Sequence, residues 1–212
     1  MCQPPVVLSS TKIRNTARMV TAAAIDSADH RRRLLDAMSH TVARKGYADT
    51  TIADLAAEAR VSRRTFYEHF GTKAECLIAL YEAASDQALN VLRAEIDPRR
   101  DWHAQVEQAM LAYLSTLACN PLLLRTLFIA ILGLGPEGLA ARRRANQRLA
   151  DFILDVVNRS PRERPLPPAF AMGIVGAINE LVLQAIEQDR VAELPQLAVT
   201  ASGLARAVID GG

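Results

Sequence analysis

The chain has 212 residues, half of them apolar and only 5% aromatic, and a formal net charge of +2. It is long enough for one large domain or two small ones with a sizeable core, and its wealth of Ala and Leu favours helices over sheets. The three cysteines, Cys2, Cys76 and Cys119, are odd in number and lack CxxC spacing, which argues against a disulfide framework and against zinc.

No basic stretch followed by an apolar run opens the chain, so no signal peptide is expected. The most apolar long segment, Ala169 to Ile186, carries Asn179, Glu180 and Gln184, which makes a membrane span a poor reading. The expectation is a soluble cytoplasmic protein without a membrane partner. Charge is unevenly placed. Residues 1–80 hold 12 Lys/Arg against 8 Asp/Glu, and the rest hold 13 against 15. A basic N-terminal part beside a slightly acidic remainder suits a nucleic-acid-binding head on a neutral body.

Residues 1–29 show no clear pattern beyond a weak helix over Thr16 to Ala28 and are expected to form a flexible arm. Lys12, Arg14 and Arg18 could reach DNA phosphates or the minor groove from such an arm, and Arg31 to Arg33, which abut the motif, are the favoured candidates. A first helix is predicted over His30 to Lys45, with Leu34, Leu35, Met38 and Val42 as its apolar stripe and Gly46 closing it. Thr51 then stands where a hydroxyl caps a second helix, whose Ile52, Leu55, Ala56 and Ala59 share one face. Arg60-Val61-Ser62 fits a tight turn, with Ser62 capping a third helix. There Phe66 and Phe70 are buried, and Arg63, Arg64, Thr65, Tyr67 and His69 are left to the N-terminus and outer sides. Gly71 is expected to end that helix in a left-handed conformation, and Thr72 to Glu75 to form a capping box for the next. Two short helices joined by a tight turn, the second with basic and hydroxyl residues outward, describe a helix-turn-helix whose second helix enters the major groove. Residues 30–76 are therefore the expected DNA-binding domain.

These residues resemble the N-terminal domain of the TetR family of transcriptional regulators. The pattern V-S-x-x-T-F-Y-x-x-F-x-x-K, here Val61 to Lys73, is fairly specific to that family, and Gly46-Tyr47 and Leu77 extend the likeness. The resemblance by motif covers about residues 30–80; beyond them it rests on length and helical architecture. It implies double-stranded DNA as a partner, contacted by Thr51, Ser62, Arg63, Arg64, Thr65, Tyr67, His69 and Lys73. Arg63 and Arg64 would reach base edges, and Tyr67 and Lys73 phosphates. The family usually has glycine where this chain has Arg60. A turn there tends to need positive φ, which costs a residue with a Cβ roughly 1 kcal/mol or more.

The helix begun at Thr72 is predicted to run to about Ile96 and so to link the head to residues 77–212. Further helices follow over Asp101 to Cys119, Pro121 to Leu132, Glu137 to Arg159, Ala169 to Asp189 and Glu193 to Ile209. The fold expected is all-α: a three-helix DNA-binding domain, then a helical ligand-binding and dimerisation domain. Arg142, Arg143, Arg144 and Arg148 read as a solvated face. Ile174, Ile178 and Leu181, with the seam Leu197, Ala201, Leu204 and Val208, suit either a homodimer interface built from two helices of each chain or burial within one monomer. A ligand pocket is expected among Tyr113, Phe128, Met172 and Asn179, close to Trp102 and Met110. Asn179 and Glu180, amid apolar neighbours, need partners, Arg125 or a ligand among them.

No HExxH, GxSxG, P-loop or GxGxxG is present, and the four histidines lack metal-ligand spacing. No catalytic residue, metal or cofactor is predicted. The function expected is a ligand-responsive DNA-binding regulator, a repressor released from a palindromic operator by a small-molecule inducer. The alternative is an all-helical enzyme or carrier whose helix-turn-helix is incidental.

Overall fold

A computed structural model of the chain describes residues 10–97, 99, 101–159 and 165–211, with side chains from residue 26 onward. Nine α-helices occur among the described residues: α1 Ser10–Asp49, α2 Ile52–Glu58, α3 Arg63–His69, α4 Lys73–Glu95, α5 Trp102–Ala118, α6 Pro121–Arg125, α7 Pro136–Val157, α8 Pro168–Glu187 and α9 Ala198–Gly211. No strand occurs among those residues.

The head is α1 to α3 with the first half of α4. Leu34, Met38, Leu55, Phe66, Cys76 and Leu77 are fully buried in its core. Helix α1 begins well before the predicted His30, at Ser10, and is kinked at Gly46, whose φ of 81° and ψ of 161° are non-helical. The side chains of Lys12, Arg14 and Arg18 lie outside the described part. The kink is held by the Thr50 hydroxyl, which donates to the Gly46 carbonyl at 2.7 Å.

The body packs α5, α7, α8 and α9 with the second half of α4 around Leu114, Ile174, Val182, Ile186 and Leu194. Two predicted helices are subdivided. The apolar run from Pro121 is α6, then a π-helical stretch Thr126–Ala130, then a 3-10 turn Leu132–Leu134. This run is shared by both cores: Leu124 belongs to the body and Leu127 to the head. The last predicted helix is split because Pro195 has no N–H to continue a ladder, so Val191–Leu197 is 3-10 and α9 starts at Ala198. The turn before α7 depends on Gly138, where a Cβ would lie 1.8 Å from the Ile131 carbonyl oxygen.

Helix α8 is apolar and, at 20 residues, long enough to cross a bilayer. One of its faces is instead committed to the protein core, from Ala171 through Ile178 to Ile186.

Candidate functional site

The helix-turn-helix is set by its caps. Thr51 accepts from the Asp54 N–H at 3.2 Å, and Asp54 accepts from the Thr51 N–H at 2.8 Å, closing a capping box on α2. Lys45 reaches the same carboxylate at 2.6 Å, tying α1 to α2. Lys45, then the Thr51 hydroxyl and N–H, hold the Asp54 carboxyl far below the usual range, so it stays ionised.

At the turn, the Arg60 N–H donates to the Ala57 carbonyl at 3.1 Å and the Val61 N–H to the Ala56 carbonyl at 2.9 Å. This pair of bonds forms a left-handed helix end. Arg60 occupies the special position with φ 53°, so it carries the strain that a glycine would avoid.

Ser62 caps α3 by accepting from the Thr65 N–H at 2.9 Å, and its hydroxyl also bonds the Thr65 hydroxyl at 2.9 Å. Phe66 and Phe70 fix the inner face, with ring centroids 5.8 Å apart. The outer face then shows Ser62, Arg63, Arg64, Tyr67 and Glu68, with Tyr67 58% exposed. Arg64 pairs with Glu68 at 3.1 Å. Among the described residues no ion pair ties down Arg63. The arrangement presents hydrogen-bond donors and positive charge on a rigid short helix, the chemistry that reads phosphates and base edges.

Two predicted contact residues are employed otherwise. Lys73 does not project from the surface. Its ammonium donates to the carbonyls of Tyr47 and Thr50 at 2.7 Å each, and sits 4.2 Å from the Tyr47 ring centroid. The carbonyls where α1 ends attract a cation, and Lys73 at the start of α4 supplies it. His69 lies on the flank of α3 against α1, with its ring 6.3 Å from that of His30. Of the arginines next to the motif, Arg31 stacks over Phe70 at 5.4 Å, while Arg32 and Arg33 are engaged by Asp29. Gly71 does not adopt the left-handed conformation: α3 ends at the extended Phe70. The Gly71 N–H donates instead to Glu75 at 2.8 Å, so only the Thr72 half of the predicted capping box forms.

In the body an apolar, open-mouthed cavity lies between α4, α5, α7, α8 and α9. Tyr113 and Asn179 line it, with Trp102 and Met110. Phe128 and Met172 do not: they pack partly buried against the core. Sequence reasoning missed the α7 contribution, Leu149, Phe152, Ile153 and Val156. Their helical spacing was a usable signal, masked by the arginines on the same helix. Burial pushes the Tyr113 phenol up to about 12, with the nearby Tyr81 adding to the shift. Asn179 donates to Asn146 at 3.1 Å, while Arg125, the partner suggested for it, donates instead to the Ile186 carbonyl and Asp189. Glu180 is exposed and needs no buried partner. Among the described residues no group of three or more His, Cys, Asp and Glu is gathered to hold a metal.

The predicted interface residues divide. Ile174 and Ile178 point inward and wall the cavity, so they are not on an open face. Leu181, Leu197, Leu204 and Val208 are half-buried. The buried stripe of α9 is instead Ala198, Ala201, Ser202, Ala205 and Ile209. What α8 and α9 leave open includes Phe170 and Val199, 46% and 64% exposed, and Gly173, Gly176 and Gly203, whose Cβ positions face empty space. Of the four α7 arginines, Arg144 and Arg148 are tied to α4 through Glu82 at 2.7 Å and Asp86 at 3.1 Å.

Residues 34–80 match the family model described as bacterial regulatory proteins, tetR family. No curated protein matches the chain in sequence. Solved structures of similar fold include FadR of Bacillus subtilis in complex with stearoyl-CoA, at 17% identity and a TM-score of 0.70 over 85% of this chain and 98% of that one. FadR of Bacillus halodurans, a fatty acid degradation regulator, is similar at 18% identity and a TM-score of 0.69 over 82% and 93%. A TetR-like transcriptional regulator of Rhodococcus sp. RHA1 follows at 18% identity and 0.62 over 86% and 97%. The likeness read from Val61 to Lys73 is therefore to the TetR family, and the chain shares the fold of these solved structures over 82–86% of its length.

Proposed function

We propose that this chain is a DNA-binding transcriptional regulator, a repressor that works as a homodimer and leaves a palindromic operator when a small molecule fills its C-terminal cavity. The observation that carries the reading is α3: a helix capped at Ser62, locked from behind by Phe66 and Phe70, with Arg63, Arg64 and Tyr67 outward. The match to regulatory proteins over residues 34–80 supports it, as does the shared fold with transcription regulators rather than enzymes. Such a protein acts in the cytoplasm, beside the DNA.

Two copies joined through the open faces of α8 and α9 would place two α3 helices on one side of a duplex. Successive major grooves then require a separation of roughly 34–36 Å. The small residues Gly173, Gly176 and Gly203 permit close helix approach, and Phe170 and Val199 supply apolar area.

Ligand response is supported by the cavity itself, apolar with a few polar groups as small-molecule sites are. The Bacillus subtilis neighbour holds stearoyl-CoA, an amphipathic molecule, on the same fold. An apolar or amphipathic inducer is the matching class here.

The test is a gel shift with the DNA flanking the protein's own gene, across salt concentrations. Sequence-selective binding that weakens with salt is expected. Equal affinity for all sequences, or none, would leave an all-helical carrier or enzyme as the better reading.

A further inference from the structure

The cavity wall carries more chemical information than its general apolar character. None of its described wall residues has a charged side chain. Tyr113 is a buried polar group of the wall, and the influences on its phenol are burial and Tyr81, with no cation or carboxylate among them. Its hydroxyl has no hydrogen-bond partner among the described residues, although the side chain is only 7% exposed. With its proton held at any ordinary pH, it can donate one bond and accept others. Asn179, 9% exposed, spends one end of its amide on Asn146 at 3.1 Å and keeps the other. That contact would survive an exchange of both amides' oxygen and nitrogen, so the spare end can be a donor or an acceptor.

We propose that this cavity takes an electrically neutral ligand, mostly hydrocarbon or aromatic, with one hydroxyl or carbonyl group that meets Tyr113 and Asn179. The inference rests on the cavity being the ligand site of the regulator proposed above, and it narrows the class of molecule. A carboxylate or ammonium entering here would shed its water and meet no counter-charge on the wall, which buried ions do not tolerate. A neutral polar group loses far less and recovers it by bonding the two unspent groups. Trp102, Phe152 and Tyr113 add aromatic faces suited to flat or alkyl surfaces.

Trp102 is the single tryptophan and forms part of the wall, so its emission reports occupancy directly. The full chain is titrated with neutral N-phenyl-1-naphthylamine and with its anionic relative 1-anilinonaphthalene-8-sulfonate. The neutral dye should quench Trp102 and bind at least tenfold tighter. 1-Decanol should displace it, whereas decanoate should do so only as the pH falls toward its own carboxyl range of about 4–5, where it becomes neutral. Tyr113→Phe and Asn179→Leu should each weaken displacement by decanol roughly two- to tenfold, the loss of one hydrogen bond, and leave displacement by naphthalene unaltered. Binding of the sulfonate dye or of decanoate at pH 8 as tightly as the neutral probes would overturn the proposal. So would neutral binding that leaves Trp102 emission untouched, or no binding by any probe. A chain that binds these probes but no operator would overturn the regulator reading alone, since the gel shift and the dye titration report independently.

Discussion

Lys73 decides between two accounts of the same residue, a contact to DNA and a strut inside the head. Its ammonium is shared by the carbonyls of Tyr47 and Thr50 at 2.7 Å, with Ala48 at 3.4 Å and the Tyr47 ring below. Lys73→Met keeps most of the stem and removes the charge, leaving those carbonyls to water. A hydrogen bond to a charged group contributes about 1.5–3 kcal/mol net. The site is half-buried, so water replaces part of each bond, and the whole loss is about 2–3 kcal/mol rather than the sum. For a chain of this length that is a fall in Tm of roughly 5–10 °C. Circular dichroism melts measure it. The DNA side is read by anisotropy titrations across salt: a residue that neutralises one phosphate contributes about 0.9 to the slope of log K against log salt. The strut account expects a lowered Tm and an unaltered slope per protomer. An unchanged Tm with a slope lowered by about 0.9 would refute it and restore the phosphate contact.

Arg60→Gly should raise stability by about 0.5–1 kcal/mol in a denaturant melt, because relief of the left-handed conformation exceeds the extra chain entropy of glycine; Arg60→Ala, which keeps the Cβ, should not. Gly138→Ala places a methyl 1.8 Å from the Ile131 carbonyl oxygen and should destabilise by about 1–3 kcal/mol in the same assay, through overpacking against backbone. Gly176→Leu projects into open space in a single chain, so it should leave the helical spectrum intact while sedimentation shows the dimer split; a persisting dimer would move the interface to another face. Arg63→Ala should relax operator sequence preference at a cost of about 1–3 kcal/mol in competition gel shifts, and more than Arg64→Ala, whose guanidinium must first leave Glu68.

The head was legible in the sequence because its signals are local. Caps at Thr51, Ser62 and Thr72 act within three residues, and the Phe66–Phe70 pair lies on one turn. The positive φ of Arg60 was legible through the resemblance, whose family has glycine at that turn position. The internal contacts of Lys73 were not legible, for the opposite reason. Its partners are 23 and 26 residues away, and an exposed-looking lysine gives no local sign of a distant carbonyl. In the body the same limit applies. The pattern of α8 shows that two sides are apolar, but not which side faces the cavity and which is open, so Ile174 and Ile178 fell on the wrong one. Pro195 was a local signal for the break before α9 and outranks the helical spacing around it.

Helix α4 joins the two ends of the proposed function. Lys73 anchors it in the head and Leu92 belongs to the cavity wall, nineteen residues on and so roughly 28 Å along the axis. A tilt of about 5° at the cavity end would carry the head roughly 2–3 Å on that lever. What resists such a tilt is unequal. The pairs Glu82–Arg144 and Asp86–Arg148 link α4 to α7, yet all four side chains are at least a third exposed and each pair contributes only about 0.2–1 kcal/mol. Leu127, reaching from the body into the head core, contributes more, about 1.5–3 kcal/mol of apolar burial. Lowering operator affinity a hundredfold takes about 2.8 kcal/mol of difference in ligand affinity between the two arrangements. That is comparable to the hold of Leu127 and exceeds either ion pair. Under the proposed function, the contact of the π-helical stretch with the head, rather than the conspicuous arginines of α7, is therefore the stronger link that a ligand in the cavity would have to work against.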